Sequence, residues 1–439
     1  MNIHQIPFLR LLLPYIAGVI IAWYTLSYTI AIFISVLALC LFITDRLYFR
    51  GKGYNMRHIC GIYITLLFTA IGIISYNMTL PYEFHEHRCV TSYKIYQYNK
   101  AHNTPTALEA KALEVRESLI DIYKEHTSSD NVGIISAITL GKKDGLDRDT
   151  KKQFSMSGGS HVLAVSGLHV GIIYMIMLWL TSLLPRRRTI NILSHIITIL
   201  CLWAYAFICG LPASVVRSAL MFSLISVAVI IERRNVSLNA VFTSAFIMLM
   251  YKPLYLFDVG FQLSYAAVIS ILLFYPKIYS LLTLKSRLLN IAWSMICVSA
   301  AAQIGTLPLT VYYFHQIPTY SLLTNFLVVP AAFIIIYTSA IMLIVSPLQT
   351  IAGFAGLAAD TVTTYLRTGV EYIVNLPYSV IDGLRVSGWM VIGMFAAILT
   401  FYAFTESRRA RDLMASLSIV AILQLIDILI QIKVVTLPI

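Results

Sequence analysis

The sequence predicts an all-α polytopic membrane protein, with about 10–13 transmembrane or membrane-associated helices and a small external α+β segment. Composition and spacing both point there. Of the 439 residues, 59% are hydrophobic and only 12% charged, and the mean hydropathy is +0.79. Water-soluble domains of ordinary size cannot hide that much apolar surface. The apolar residues also gather into windows of about 20, the length that crosses a hydrocarbon core about 30 Å thick.

In chain order the windows are 8–26, 28–44, 58–77, 161–184, 190–209, 214–231, 237–250, 259–276, 288–312, 320–346, 388–404 and 413–431, with a less apolar stretch at 350–376. The first window runs at once into a second with no small-residue cleavage site between them, so it reads as a retained helix rather than a signal peptide. One long polar segment, 79–160, separates the third window from the fourth. Within it, 84–98 is rich in Tyr, Val, Ile and Thr, as a strand or two would be. Residues 105–125 place Leu108, Ala112, Val115, Leu119 and Ile122 at helical spacing and predict an amphipathic helix. The string GKKDGLDRDT at 141–150 predicts a turn-rich connection. The chain thus divides into N-terminal spans over 1–78, an external segment over 79–157, a helical core over 158–350, and C-terminal amphipathic and spanning helices over 351–439.

The net charge of +12 invites a nucleic-acid reading, but its distribution argues topology first. Fifteen of the 32 basic residues lie in five short loops: Arg46, Arg50, Lys52 and Arg57; Arg186 to Arg188; Arg233 and Arg234; Lys277, Lys285 and Arg287; and Arg408, Arg409 and Arg411. With the N-terminus in the cytoplasm and 350–376 crossing the bilayer, all five loops face the cytoplasm. The external segment holds eleven Lys/Arg and eleven Asp/Glu, so it is not the basic arm that phosphate neutralisation calls for. Of the six cysteines only Cys89 is in that segment, which excludes a disulfide framework. His85, His87 and Cys89 alternate as strand neighbours do, and three ligands within five residues make a poor metal cage. No metal or other cofactor is expected.

Polar residues inside the windows are the informative ones, because hydrocarbon offers them no partner. Ser299, Gln303, Thr306 and Thr310 share one face of 288–312, suited either to helix packing or to a polar path. Asp360, Thr364, Arg367 and Glu371 repeat that spacing in 350–376, where Arg367 can pair with Glu371 and the helix can line water or lie at the interface. In SGGSHVLAVSGLHVG at 157–171, Ser166 and His169 share a face, and His161 lies about two turns below His169. Two imidazoles and a hydroxyl at membrane depth suit a wet cavity. They also raise an intramembrane serine hydrolase using Ser166, although one helix places base and nucleophile poorly.

In GLPASVVRSALM at 210–221, Pro212 suits a helix start, and Arg217 either snorkels outward or faces the interior. In LFDVGFQLSYAAV at 256–268, Asp258 most simply caps a helix, while Gln262 and Ser264 suit bonds between helices. Asn325 precedes Pro330, which breaks or kinks its span, and broken spans often border transport sites.

Taken in order, ITLGKKDGLDRDTKKQFSMSGGSHVLAVSGLHVG at 138–171, GLPASVVRSALM at 210–221, FDVGFQLSYAAV at 257–268 and AAQIGTLPLTVYYFHQIPTYSLLTNFLVVP at 301–330 resemble the competence domain of the ComEC family. The opening PFLRLLLPYIAGVIIAWY at 7–24 is similar to the start of longer members. The resemblance implies a multi-pass protein of the bacterial inner membrane that passes one DNA strand into the cytoplasm during natural transformation. It places the family's SGLHV string on Ser166 to Val170, its Arg on Arg217, its Gln-Leu-Ser on Gln262 to Ser264 and its membrane Gln on Gln303.

Together with His161, Asp258, Ser299, Thr306, Thr310 and Asn325, these are the candidates for lining or shaping the path. Longer members carry an external OB-type domain and a metallo-hydrolase-like domain. Here 79–157 is short for an OB barrel, and no His/Asp hydrolase motif is seen, so no enzyme activity is expected of this chain and a nuclease would come from another protein. No GxxxxGK[ST] string is present, which leaves ATP hydrolysis to a separate cytoplasmic motor. The implied partners are single-stranded DNA, the lipid bilayer, an external DNA receptor, the nuclease and the motor. A small-molecule or lipid-linked transporter, a serine hydrolase and a remnant without transport activity are the competing readings.

Overall fold

In a computed structural model the described residues are 7–25, 28–48, 57–79, 107–185, 188–232 and 237–436. The strand expected at 84–98, the His85/His87/Cys89 group and the basic loop residues Arg50, Lys52, Arg186, Arg187, Arg233 and Arg234 lie outside them. The described chain is almost entirely helical. Eight helices are long and apolar enough to cross a membrane, and three shorter ones are apolar too. The fold is that of an all-α polytopic membrane protein.

The helices are α1 (Pro7–Thr25), α2 (Tyr28–Tyr48), α3 (Arg57–Thr79), α4 (Ala107–His126), α5 (Ser129–Leu140), α6 (Arg148–Met156), α7 (Gly167–Ser182), α8 (Arg188–Ile208), α9 (Ala213–Ile230), α10 (Ser237–Tyr251), α11 (Val259–Tyr279), α12 (Arg287–Phe314), α13 (Ser321–Ile344), α14 (Gln349–Val374), α15 (Gly388–Ser407) and α16 (Ala410–Thr436). A short 3₁₀ turn covers Pro253–Phe257. β1 (Ile317–Pro318) and β2 (Val380–Ile381) pair antiparallel, Ile317 with Ile381 and Pro318 with Val380.

The chain forms two compact units. The first comprises 1–112, 173–207 and 213–261. Its centre is the packing of α1 on α3, made possible by glycine. A Cβ on Gly18 would stand 2.0 Å from the Thr69 carbonyl oxygen, and one on Gly72 would stand 2.3 Å from that of Tyr15. Small residues that let backbones approach are the usual basis of helix association in lipid, where no hydrophobic effect operates between spans. Tyr15 is fully buried, and its hydroxyl donates to the Leu249 carbonyl at 2.8 Å. Phe8, Tyr15 and Phe68 close around Phe246.

The second unit comprises 113–172, 208–212 and 262–439. Here α12 and α13 form an antiparallel hairpin whose turn carries β1. Next, α14 runs back along α13, with the Tyr320 hydroxyl donating to the Pro377 carbonyl at 3.0 Å. It packs along α13, a helix long and apolar enough to cross a membrane. Its polar face meets α5: Asn131 Nδ2 donates to Asp360 Oδ1 at 2.9 Å and to Thr364 Oγ1 at 2.8 Å. Arg367 pairs with Asp130 at 3.6 Å rather than with Glu371. Pro330 sits inside α13, which continues through it.

The amphipathic helix expected at 105–125 is α4. The turn expected at 141–150 is real but short, because Asp147 caps α6 by accepting the Thr150 N–H at 2.9 Å. Those cap bonds hold the Asp147 carboxyl below its ordinary range, first the Thr150 hydroxyl and then the Thr150 backbone N–H.

Candidate functional site

The first of the motif strings carries an N-terminal cap for α7. Ser166 occupies the N-cap, and its Oγ accepts from the Leu168 N–H at 3.3 Å. Three residues on, His169 Nδ1 accepts from the Ser166 N–H at 3.0 Å, and Ser166 Oγ lies 3.0 Å from the same nitrogen. This is a variant of the capping box, with histidine in the place usually held by Glu or Gln and the Ser166 hydroxyl accepting from the second rather than the third helical N–H. Since Nδ1 accepts, the ring proton is assigned to Nε2. His169 is fully buried, and Nε2 has no protein partner among the described residues. The shared face of Ser166 and His169 was legible from their spacing. The cap was not, because histidine at that position is an unfamiliar cap partner.

Just upstream, Gly158 and Gly159 seat the chain against α13. Gly158 has φ +85, and a Cβ there would meet Ser321 Cβ at 2.9 Å and Pro318 Cγ at 3.1 Å. Only glycine serves both the left-handed backbone and the close approach. Around this point several polar groups converge. Thr324 Oγ1 donates to the Ser157 carbonyl at 2.8 Å, Gln316 Nε2 to Ser155 Oγ at 3.1 Å, and Gln303 Nε2 to Ser321 Oγ at 2.8 Å. One turn deeper, Asn325 Nδ2 donates to Ser299 Oγ at 3.1 Å, while Asn325 Oδ1 is buried without a partner among the described residues. His161 is exposed, its Nδ1 3.1 Å from the Gly158 carbonyl oxygen.

Half of the α12 face thus bonds across to α13. Ser299 and Gln303 do so, whereas Thr306 Oγ1 turns back to its own helix at Ala302 O, 3.0 Å away. Thr310 is half-buried on the same helix. Gln262 Oε1 accepts from the Tyr313 hydroxyl at 2.9 Å, joining α11 to α12, and Ser264 is half-buried on α11. Sequence reasoning missed the partners Ser155, Ser157, Tyr313 and Ser321. Each is a common polar residue with no spacing signal of its own.

Two candidates belong to the first unit. Arg217 is 2% exposed, which excludes snorkelling, and its Nη1 donates to the Gly260 carbonyl at 3.3 Å. The second and third motif strings meet at that bond. Asp258 caps α11 as expected, accepting the Phe261 N–H at 2.7 Å.

Comparison with known proteins adds the family. The family model described as Competence protein matches residues 138–408. ComE operon protein 3 of Bacillus subtilis is 30% identical over 226 residues, covering 52% of this chain and 28% of that protein. Recombination protein 2 of Haemophilus influenzae is 28% identical over 226 residues, covering 49% of this chain and 28% of that protein. An uncharacterized protein of Aquifex aeolicus is 30% identical over 213 residues, 48% of each chain. The alignments thus span about half or less of each relative's length. No solved structure matches the chain.

Proposed function

The chain belongs to the Competence protein family, and on that premise we propose that it forms a passage for single-stranded DNA through the bacterial inner membrane during natural transformation. The observation that carries this reading is the family match over 138–408, which contains every motif residue that meets another in a buried or half-buried polar contact. Gln303, Ser299, Asn325 and Thr324 are set where spans join, and a polar seam between spans can shape a route for a charged polymer. Arg217, the one buried guanidinium among the described residues, fixes the start of α9 against Gly260. In this reading the N-terminus is cytoplasmic. A receptor outside presents DNA, a separate nuclease removes the second strand, and a cytoplasmic motor supplies the drive.

The test is DNA protected from external nuclease, counted in cells of a competent host with the gene intact, deleted and restored. Uptake should vanish on deletion and return on restoration. Normal uptake after deletion would overturn the proposal and favour a solute transporter.

One observation favours a second reading. Ser166 Oγ lies 3.0 Å from His169 Nδ1, the contact an intramembrane serine hydrolase would need. The same nitrogen already accepts the Ser166 N–H, which leaves it poorly placed to take a proton. A serine-directed phosphonate that labels the chain at Ser166, with labelling lost in Ser166→Ala, would revive this reading.

A further inference from the structure

The helices α4 and α5 face each other across a tight turn at Thr127–Ser128. Their open end is held by the Lys142–Glu117 ion pair, while Arg116 Nη1 ties α4 to the Cys209 carbonyl after α8 at 3.5 Å. Their closed end is docked on the middle of α14. Asp360 Oδ1 accepts the Ser128 N–H at 3.0 Å, the Ser128 hydroxyl at 2.6 Å and Asn131 Nδ2 at 2.9 Å. A Cβ on Gly356 would stand 2.4 Å from the His126 carbonyl oxygen, so backbone rests on backbone there.

The depth of that docking follows from helical rise. α13 is long and apolar enough to span the membrane, and α14 lies antiparallel beside it with Gly369 against Leu327. Leu327 is ~9 Å inside α13, and Asp360 is ~13 Å further along α14, so the turn lies ~22 Å from the α13 N-terminus. A second landmark agrees: buried Tyr123 faces Ser339, ~27 Å along α13. At this level Ile334 and Ile341 of α13 and Phe354 and Leu357 of α14 are exposed, as lipid-facing residues are.

Against that apolar surround, α4 turns outward Glu114, Ser118, Asp121, Lys124 and Glu125, all exposed. The Arg367–Asp130 pair at the turn is loose, with side chains 39% and 70% exposed. Charges placed so in hydrocarbon would be costly, whereas at a water surface they are ordinary. α5 is the opposite, apolar and buried from Ile134 to Leu140. Its length of 12 residues is that of a re-entrant segment rather than a span.

We propose that α4 and α5 form a re-entrant hairpin beside α13 and α14, and that the charged face of α4 borders a water-filled recess within the membrane layer. The segment expected to be wholly external then gives the membrane layer a hairpin. Asp121 pairs with Lys124 at 2.7 Å, and exposed Lys111 offsets one of Glu114 and Glu125, which leaves this wall close to neutral rather than basic. The wall therefore bounds water and is not a clamp for phosphate.

The test uses the full chain in proteoliposomes, its native cysteines replaced, with a spin label at one of four positions: Ser118→Cys, Lys124→Cys, Ile341→Cys or Phe354→Cys. Collision with oxygen, which concentrates in lipid, is compared with collision with a water-soluble nickel chelate. The Ile341 and Phe354 sites should favour oxygen and report a position inside the bilayer, while the Ser118 and Lys124 sites should reverse that order. The proposal is overturned if the Ile341 and Phe354 sites report water. It is equally overturned if the α4 sites favour oxygen, or if neither reagent reaches them. All four sites are on exposed side chains, and the outcome does not depend on whether DNA is the cargo.

Discussion

The α1–α3 pair and the α12–α13 pair are both contacts between apolar spans, yet they are made by different means. In the first, Gly18 and Gly72 remove side chains so that backbone meets backbone, with aromatic rings closing the gaps. In the second, Gln303–Ser321 and Asn325–Ser299 hydrogen bonds join the helices through side chains. Steric fit tolerates little change, because no neighbour can retreat from a backbone atom. A polar tie between spans is worth little in stability, about 0.6 kcal/mol on average. Where a polar group is kept at membrane depth for so small a gain, a role beyond packing is the natural explanation. In the proposed function that role falls to the seam between α12 and α13.

The contrast can be broken most forcefully at the glycines. Gly18→Leu or Gly72→Leu should cost ~3 kcal/mol or more, since the added atoms would overlap the Thr69 and Tyr15 carbonyls. Thermal unfolding in detergent reads this directly. A variant as stable as the parent would mean that α1 and α3 are not packed on glycine.

The cap is expected to come next in size. Ser166→Ala should cost about 1 kcal/mol, and Ser166→Ala with His169→Ala should cost less than the sum, because each residue serves the other. Additive losses in the unfolding free energy would show that the two act independently, contrary to a capping box.

The smallest effect sharpens the contrast. In a double-mutant cycle, Ser299→Ala and Asn325→Leu should couple by only ~0.6 kcal/mol. A coupling of several kcal/mol would make the seam a structural linchpin and remove the reason to look for another role.

Spans were legible because lipid imposes a 20-residue apolar length on every crossing helix, and the Asp258 cap was legible because its chemistry is local. The helices α5 and α6 were not. α5 is too short for a span window, and its partners Asp360 and Thr364 lie more than 200 residues away. Arg217 shows the same limit. Depth and partner, not residue type, separate a snorkelling arginine from a buried one, and both are properties of the fold. The α12 stripe was read correctly as a shared face, but only the arrangement of α13 divides it into residues that bond across and the Thr306 hydroxyl that turns back.

The most direct test of the central claim is nuclease-protected DNA entering competent cells whose own copy carries Gln303→Leu, at a membrane level and unfolding temperature matched to the parent. Loss of the Ser321 bond costs little stability, so DNA passage along this seam predicts at least a roughly tenfold fall in uptake, as a barrier about 1.4 kcal/mol higher would give. Uptake equal to the parent's would contradict the claim and reduce Gln303 to a helix-packing residue.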